Sequence, residues 1–240
     1  MENSSRECTA LILGPDSPPP KLGPCRTVWI PLFRVKPVPG AVRVILELSN
    51  WVEALIFTSP RSPRSLALTA REEGLFTRLR DLVMRVEIFA IGPTTGSMVR
   101  EYLGKYPSIP RQYTGNDLAR LIVDVGVKNA IGIRSPDSLR ELPVILAENN
   151  IRYVEVYSYV TVFSPENAEK AKGIKPDFLL LTSPKIAEKA LSIGLTGEII
   201  SIGPSTSKTI KNLGYKISCE AYPHTLKGLV GCLSELWDGR

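Results

Sequence analysis

Two stretches of this chain repeat the same strand-to-turn pattern in the same order. Leu55-Ile56-Phe57-Thr58-Ser59-Pro60-Arg61 resembles Leu179-Leu180-Leu181-Thr182-Ser183-Pro184-Lys185. Further on, Ile91-Gly92-Pro93-Thr94-Thr95-Gly96 resembles Ile202-Gly203-Pro204-Ser205-Thr206-Ser207. Tyr113, followed by the helical stretch Leu118–Ile122, resembles Tyr222 followed by Leu226–Val230. The separation between copies differs from motif to motif, so these are two diverged domains and not stacked solenoid units. A length of 240 residues leaves room for one large domain or two small ones.

Short apolar runs alternate with amphipathic stretches. Strands are expected at Ala10–Leu13, Val28–Phe33, Ala54–Thr58, Val86–Ile91, Ala130–Arg134, Tyr153–Val162, Phe178–Thr182, Ile199–Ile202 and Lys216–Cys219. Helical periods lie between most of them. Ser138–Asn149 puts Leu139, Leu142, Ile145 and Leu146 on one face, and Ala187–Ile193 and Thr206–Leu213 read the same way. Such alternation implies an α/β chain with mostly parallel sheets. The stretch from Gly14 to Thr27, with its Pro18-Pro19-Pro20 run, reads as a loop in the place of a first helix. Arg34–Gly40 suits a crossover between units, and Tyr153–Val162 could carry the chain back.

Each repeated motif is a strand running into a helix start. Ser59 and Ser183 stand where a side chain caps the orphan amides, and the proline after each suits the first helical turn. Thr94, Thr95, Ser205 and Thr206 follow a Gly-Pro turn in the same way. Capping is the plainest role of any one of these hydroxyls. As a set they gather at the carboxyl ends of parallel strands, the usual ligand crevice, where helix N-termini favour carboxylates or phosphates. Arg61 and Lys185 add positive charge, and Arg134-Ser135-Pro136, with Arg140 beyond it, is a third version of the device. An extended polyanion held between two facing domains is the expected ligand. Tyr157 lies in a strand rich in tyrosine; it is either a half-buried strand residue or a proton-donating phenol at the domain junction.

Composition excludes several chemistries. The single histidine, His224, rules out a multi-histidine metal site, and its expected role is capping or surface. Cysteines 8, 25, 219 and 232 have no C-x-x-C spacing, so zinc ribbons and thioredoxin-type redox motifs are out. They read as buried thiols more than as a disulfide framework, although a pairing such as Cys8 with Cys219 stays open. No glycine-rich nucleotide loop, Gly-x-Ser-x-Gly elbow or paired-carboxylate cluster is found. The net charge of +6 favours an anionic ligand without arguing for nucleic acid. No apolar run is long enough to cross a bilayer, and Met1–Thr9 lacks the layout of a signal peptide, so a cytoplasmic protein is expected.

In order, the motifs resemble the uroporphyrinogen-III synthase family. The pieces that carry this are Phe57–Arg61, Ile91–Thr95, Val156-Tyr157, Thr182–Pro184, Ile202–Thr206 with Leu213-Gly214, and Pro223, Thr225, Leu226 and Leu229 of the last helix. The resemblance runs from about residue 26 to about residue 236, and the chain departs from it where Gly14 and a proline-rich loop replace an arginine and a helix. It implies an α/β fold of two Rossmann-like domains with parallel sheets joined by a two-strand linker, HemD-like. The first domain would combine residues 1–34 and 160–240, with 38–156 inserted, and the crossings would fall at Val35-Lys36-Pro37 and Tyr157–Val160.

The resemblance also implies an activity: cyclisation of hydroxymethylbilane, a linear tetrapyrrole with eight carboxylates, to uroporphyrinogen III. Water is lost and ring D is inverted, with a spirocyclic intermediate as the usual proposal. Tyr157 would be catalytic. Thr58, Ser59, Arg61, Thr94, Thr95, Arg134, Ser135, Thr182, Ser183, Lys185, Ser205 and Thr206 would bind substrate. No cofactor or metal is expected, and the partner would be the linear tetrapyrrole polycarboxylate alone, bound by a monomer with no nucleic acid and no membrane. The alternative reading is a two-domain protein that binds or senses a small anion without chemistry.

Overall fold

Apolar runs without polar alternation form the centres of two parallel sheets, because a strand covered on both faces has no solvent side. The computed structural model describes residues 8–14, 23–136, 138 and 141–239. Along the chain, β1 (Thr9–Leu13) and β2 (Arg26–Trp29) precede β3 (Phe33–Pro37). Then come α1 (Ala41–Glu47), β4 (Ala54–Phe57), α2 (Arg61–Glu72), α3 (Phe76–Arg85), β5 (Glu87–Ala90) and α4 (Pro93–Leu103). They are followed by α5 (Gly115–Val125), β6 (Asn129–Arg134), α6 (Glu141–Glu148), β7 (Arg152–Tyr157) and β8 (Tyr159–Phe163). The last stretch holds α7 (Pro165–Lys172), β9 (Phe178–Leu181), α8 (Pro184–Ser192), β10 (Glu198–Ser201), α9 (Pro204–Asn212), β11 (Cys219–Glu220) and α10 (Leu226–Asp238).

The chain divides into two units. One is Val35–Thr161 and the other joins Met1–Arg34 to Val162–Arg240. In the continuous unit the sheet order is β5-β4-β6-β7, all parallel. Leu55, Phe57, Ile131 and Ile133 pack with α1 to α4 on one face, while Ala54, Ile56 and Ala130 pack with α5 and α6 on the other. The discontinuous unit has the order β11-β10-β9-β1-β2, again parallel. Its inner strand β1 alternates: Leu11 and Leu13 face α7, α8 and α9, and Ala10 and Ile12 face α10. The chain leaves this unit in β3 and returns in β8, and these two strands form a separate two-stranded sheet.

Register sets the motifs level with one another. Phe57 is opposite both Ala90 and Ile133, so Thr58, Ile91 and Ser135 lie near one sheet edge. In the other unit Leu181 is opposite both Leu13 and Ser201, which brings Thr182 and Ile202 to a common edge.

Several expected elements change. The run Val28–Phe33 is two strands, divided at Ile30-Pro31-Leu32, where Pro31 has no N–H to offer a ladder. The run Tyr153–Val162 breaks at Ser158. Its N–H donates to the Arg134 carbonyl (3.0 Å) in one sheet, and its own carbonyl accepts from Val38 (3.1 Å) beside the other. The strand expected at Lys216–Cys219 is Cys219–Glu220, the two residues that pair with Ile200 and Ser201 of β10. The helix expected over Ser138–Asn149 is Glu141–Glu148; Leu139 and Arg140 lie outside the described residues, as do 15–22 of the expected loop.

The cysteines are not thiols. Cys8 pairs with Cys25 and Cys219 with Cys232, with Cα atoms 4.7 and 5.8 Å apart. The cause is register: Thr9 is opposite Arg26, so the residues before them are brought face to face. No helix among the described residues is long and apolar enough to cross a membrane.

Candidate active site

The two Gly-Pro turns are alike in what they leave open. In α4 the N-cap is Gly92 and Pro93 follows; in α9 the N-cap is Gly203 and Pro204 follows. Neither helix has a side-chain cap. The first-turn N–H groups of Thr94, Thr95, Ser205 and Thr206 therefore have no hydroxyl partner of the capping kind, and the helix dipole adds to their pull on an anion. The Thr95 and Thr206 side chains are buried and those of Thr94 and Ser205 are exposed. A ring packs on each glycine. A Cβ at Gly92 would lie 3.3 Å from Tyr113 Cγ, and one at Gly203 would lie 3.1 Å from His224 Cγ. The ring that matches Tyr113 is thus His224 and not Tyr222, which is 87% exposed. His224 Nδ1 donates to the Ala221 carbonyl at 2.8 Å, which sets the ring's orientation.

The Ser-Pro motifs differ from each other. Ser183 caps α8, accepting from Ile186 N–H at 3.3 Å, and Thr182 donates to the Leu13 carbonyl at 2.9 Å. In the other copy the N-cap is Pro60, one residue later than expected. Ser59 Oγ still accepts from Arg61 N–H (3.3 Å), and also from the Tyr159 phenol (3.0 Å). Thr58 and Arg61 are half-buried. Lys185 Nζ lies 5.2 Å from the centre of the Phe33 ring, a cation–π distance.

The third basic motif is built differently. Ser135 begins a turn in which its N–H donates to Ser138 Oγ (3.3 Å), and α6 starts only at Glu141. Arg134 is not an exposed cation: its side chain is 3% exposed and ion-paired with Glu155. Arg134 Nη1 also donates to the Tyr153 phenol at 3.4 Å, and Tyr157 donates to Glu155 Oε2 at 3.3 Å. Tyr153, Glu155 and Tyr157 alternate along β7 and so share a face. Gly132, opposite Glu155 on β6, makes room: a Cβ there would fall 1.8 Å from the Tyr153 phenol oxygen. Burial pushes the Tyr153 phenol up to about 12, against weaker lowering by Arg134. Among the described residues no three His, Cys, Asp or Glu side chains gather as a metal site.

A family model described as uroporphyrinogen-III synthase HemD matches residues 21–231. The chain belongs to the uroporphyrinogen-III synthase family. Among solved structures, uroporphyrinogen-III synthetase from Helicobacter pylori is similar at 20% identity with a TM-score of 0.70, covering 97% of this chain and 100% of that one. A mutant uroporphyrinogen III synthase from Thermus thermophilus is similar at 16% identity with a TM-score of 0.60, covering 97% and 100%. The wild-type Thermus thermophilus protein matches at 18% identity with a TM-score of 0.52, covering 97% and 98%. These likenesses carry the fold. No curated protein matches the sequence.

For a member of the uroporphyrinogen-III synthase family, the arrangement brings the expected residues together unevenly. Tyr157 is 40% exposed at the end of β7, with its phenol donating to Glu155. Thr94, Thr95, Ser205 and Thr206 stand at helix starts without a side-chain cap, whereas Ser59, Thr182 and Ser183 are engaged in hydrogen bonds within the protein. Sequence reasoning missed Glu155, Tyr159, Tyr113 and His224 as neighbours of these residues. The i, i+2 spacing of Tyr153, Glu155 and Tyr157 was the one signal that could have found Glu155.

Proposed function

We propose that this member of the uroporphyrinogen-III synthase family works chiefly by holding one folded shape of hydroxymethylbilane through backbone amides. The activity is the family's, cofactor-free cyclisation to uroporphyrinogen III with loss of water and inversion of ring D. The observation that carries the reading is the pair of Gly-Pro helix starts whose first turns have no side-chain cap. Substrate carboxylates supply the missing acceptors at Thr94 and Thr95 and at Ser205 and Thr206. Closure without a protein gives the uninverted isomer, so positioning decides the product, and positioning is worth several kcal/mol of barrier, roughly 7–11 in the best intramolecular cases.

Tyr157 supplies the proton. The C–O bond of the hydroxymethyl group breaks with its electron pair going to oxygen, the adjacent pyrrole nitrogen pushes electrons in, and the phenol proton turns the leaving group into water. The proton lost from a pyrrole carbon at ring closure restores the phenol.

Incubating the protein with hydroxymethylbilane and separating the product isomers tests the reading. Mostly isomer III is expected. Mostly isomer I, as in the protein-free blank, would overturn it.

A further inference from the structure

We propose that Glu155 is the positioning residue for Tyr157, anchored from beneath by Arg134. This rests on the reading that the Tyr157 phenol serves the departing hydroxyl. A buried guanidinium needs a counter-charge, and Arg134, with its side chain 3% exposed, is ion-paired with Glu155 Oε1. The Glu155 side chain is 31% exposed, so the carboxylate spans the change from buried to open surroundings. Its second oxygen, Oε2, meets the Tyr157 phenol at 3.3 Å. One carboxylate therefore links a fixed interior cation to a 40% exposed phenol.

The chemistry of that link is directional. An ion-paired carboxylate has only acceptor sites, so the phenol must carry its proton to bond with it. The bond selects one side-chain orientation of Tyr157, with its O–H aimed at the carboxylate and available to the departing hydroxyl. At 3.3 Å and partly exposed, the bond is weak enough for the proton to swing to a leaving oxygen. Gly132 and the half-buried Tyr153 complete the seat. Gly132 leaves the space beside β7 open, and Tyr153 accepts a second bond from Arg134 (3.4 Å).

The test is a double-mutant cycle on the full-length protein with Glu155→Gln and Tyr157→Phe, reading kcat and KM on hydroxymethylbilane. Glu155→Gln is expected to lower kcat about tenfold with KM little changed, the size of one hydrogen bond to a charged group. In the Tyr157→Phe background the same change should have no further effect. Glu155→Asp keeps the charge beside Arg134 but is one methylene short of the phenol. It should show the same kcat loss with an unchanged melting temperature, and it decides the matter if Glu155→Gln does not fold. Full kcat in Glu155→Asp, or an equal fold-loss from Glu155→Gln in both backgrounds, would overturn the proposal. Wild-type turnover by Tyr157→Phe alone is a different failure, for it removes the role of Tyr157 on which the proposal stands.

Discussion

Burial of the Tyr153 phenol beside Gly132 gives this residue a pH signature. Its pKa rises from 10.0 to about 12, so below pH 10 the phenol is neutral in the folded and the unfolded chain alike. Between pH 10 and 12 the unfolded chain releases the proton and the folded chain keeps it, so stability falls as pH rises through that window. Urea unfolding at a series of alkaline pH values should show a shallower decline for Tyr153→Phe than for the wild type; parallel curves would place the phenol in solvent-like surroundings. Arg134 marks the limit of reading such residues from sequence. A basic residue followed by Ser-Pro after a strand looks like a ligand for an anion. Its partner Glu155 is fixed by the pairing of β6 with β7, which no periodicity reveals. The hydroxyls divide on the same ground. Ser183 is the N-cap its spacing implies, while Thr95 and Thr206 are buried without capping, because a Gly-Pro turn shifts the cap position onto glycine.

At the scale of elements, the apolar runs were legible because a strand buried on both faces must be apolar throughout, as Ala54–Phe57 and Phe178–Leu181 are. The strand breaks were not. Ser158 is fully buried yet ends β7, since its two backbone groups serve different sheets. Cysteine pairing was hidden for the same reason as the Arg134 pairing: Cys8 meets Cys25 only once β1 and β2 align. Both disulfides hold outer strands of one sheet, β2 through Cys25 and β11 through Cys219. They close loops with separations of 17 and 13 residues. Chain entropy assigns each about 3 kcal/mol. Replacing either pair with serine should lower stability by about 2–3 kcal/mol, and a reductant should lower the melting temperature of the wild type but not of a variant lacking all four cysteines. A wild-type melting temperature indifferent to reductant would show that these bridges do not support the fold.

At the scale of the whole molecule, the proposed substrate binding rests on backbone as much as on side chains. Two of the basic residues that point to a polyanion from sequence have partners within the protein: Arg134 is paired with Glu155, and Lys185 lies over Phe33. The first turn of α4 and, in the other unit, the first turn of α9 have no side-chain cap. A tetrapyrrole with eight carboxylates, the substrate proposed above, has groups enough to meet main-chain amides at either helix start. The most direct test is a titration of the isotope-labelled protein with the uroporphyrinogen III product, followed by amide NMR shifts. The largest and saturable shifts are expected at the backbone amides of Thr94, Thr95, Ser205 and Thr206. Saturable binding that leaves those four amides unmoved would contradict that binding mode.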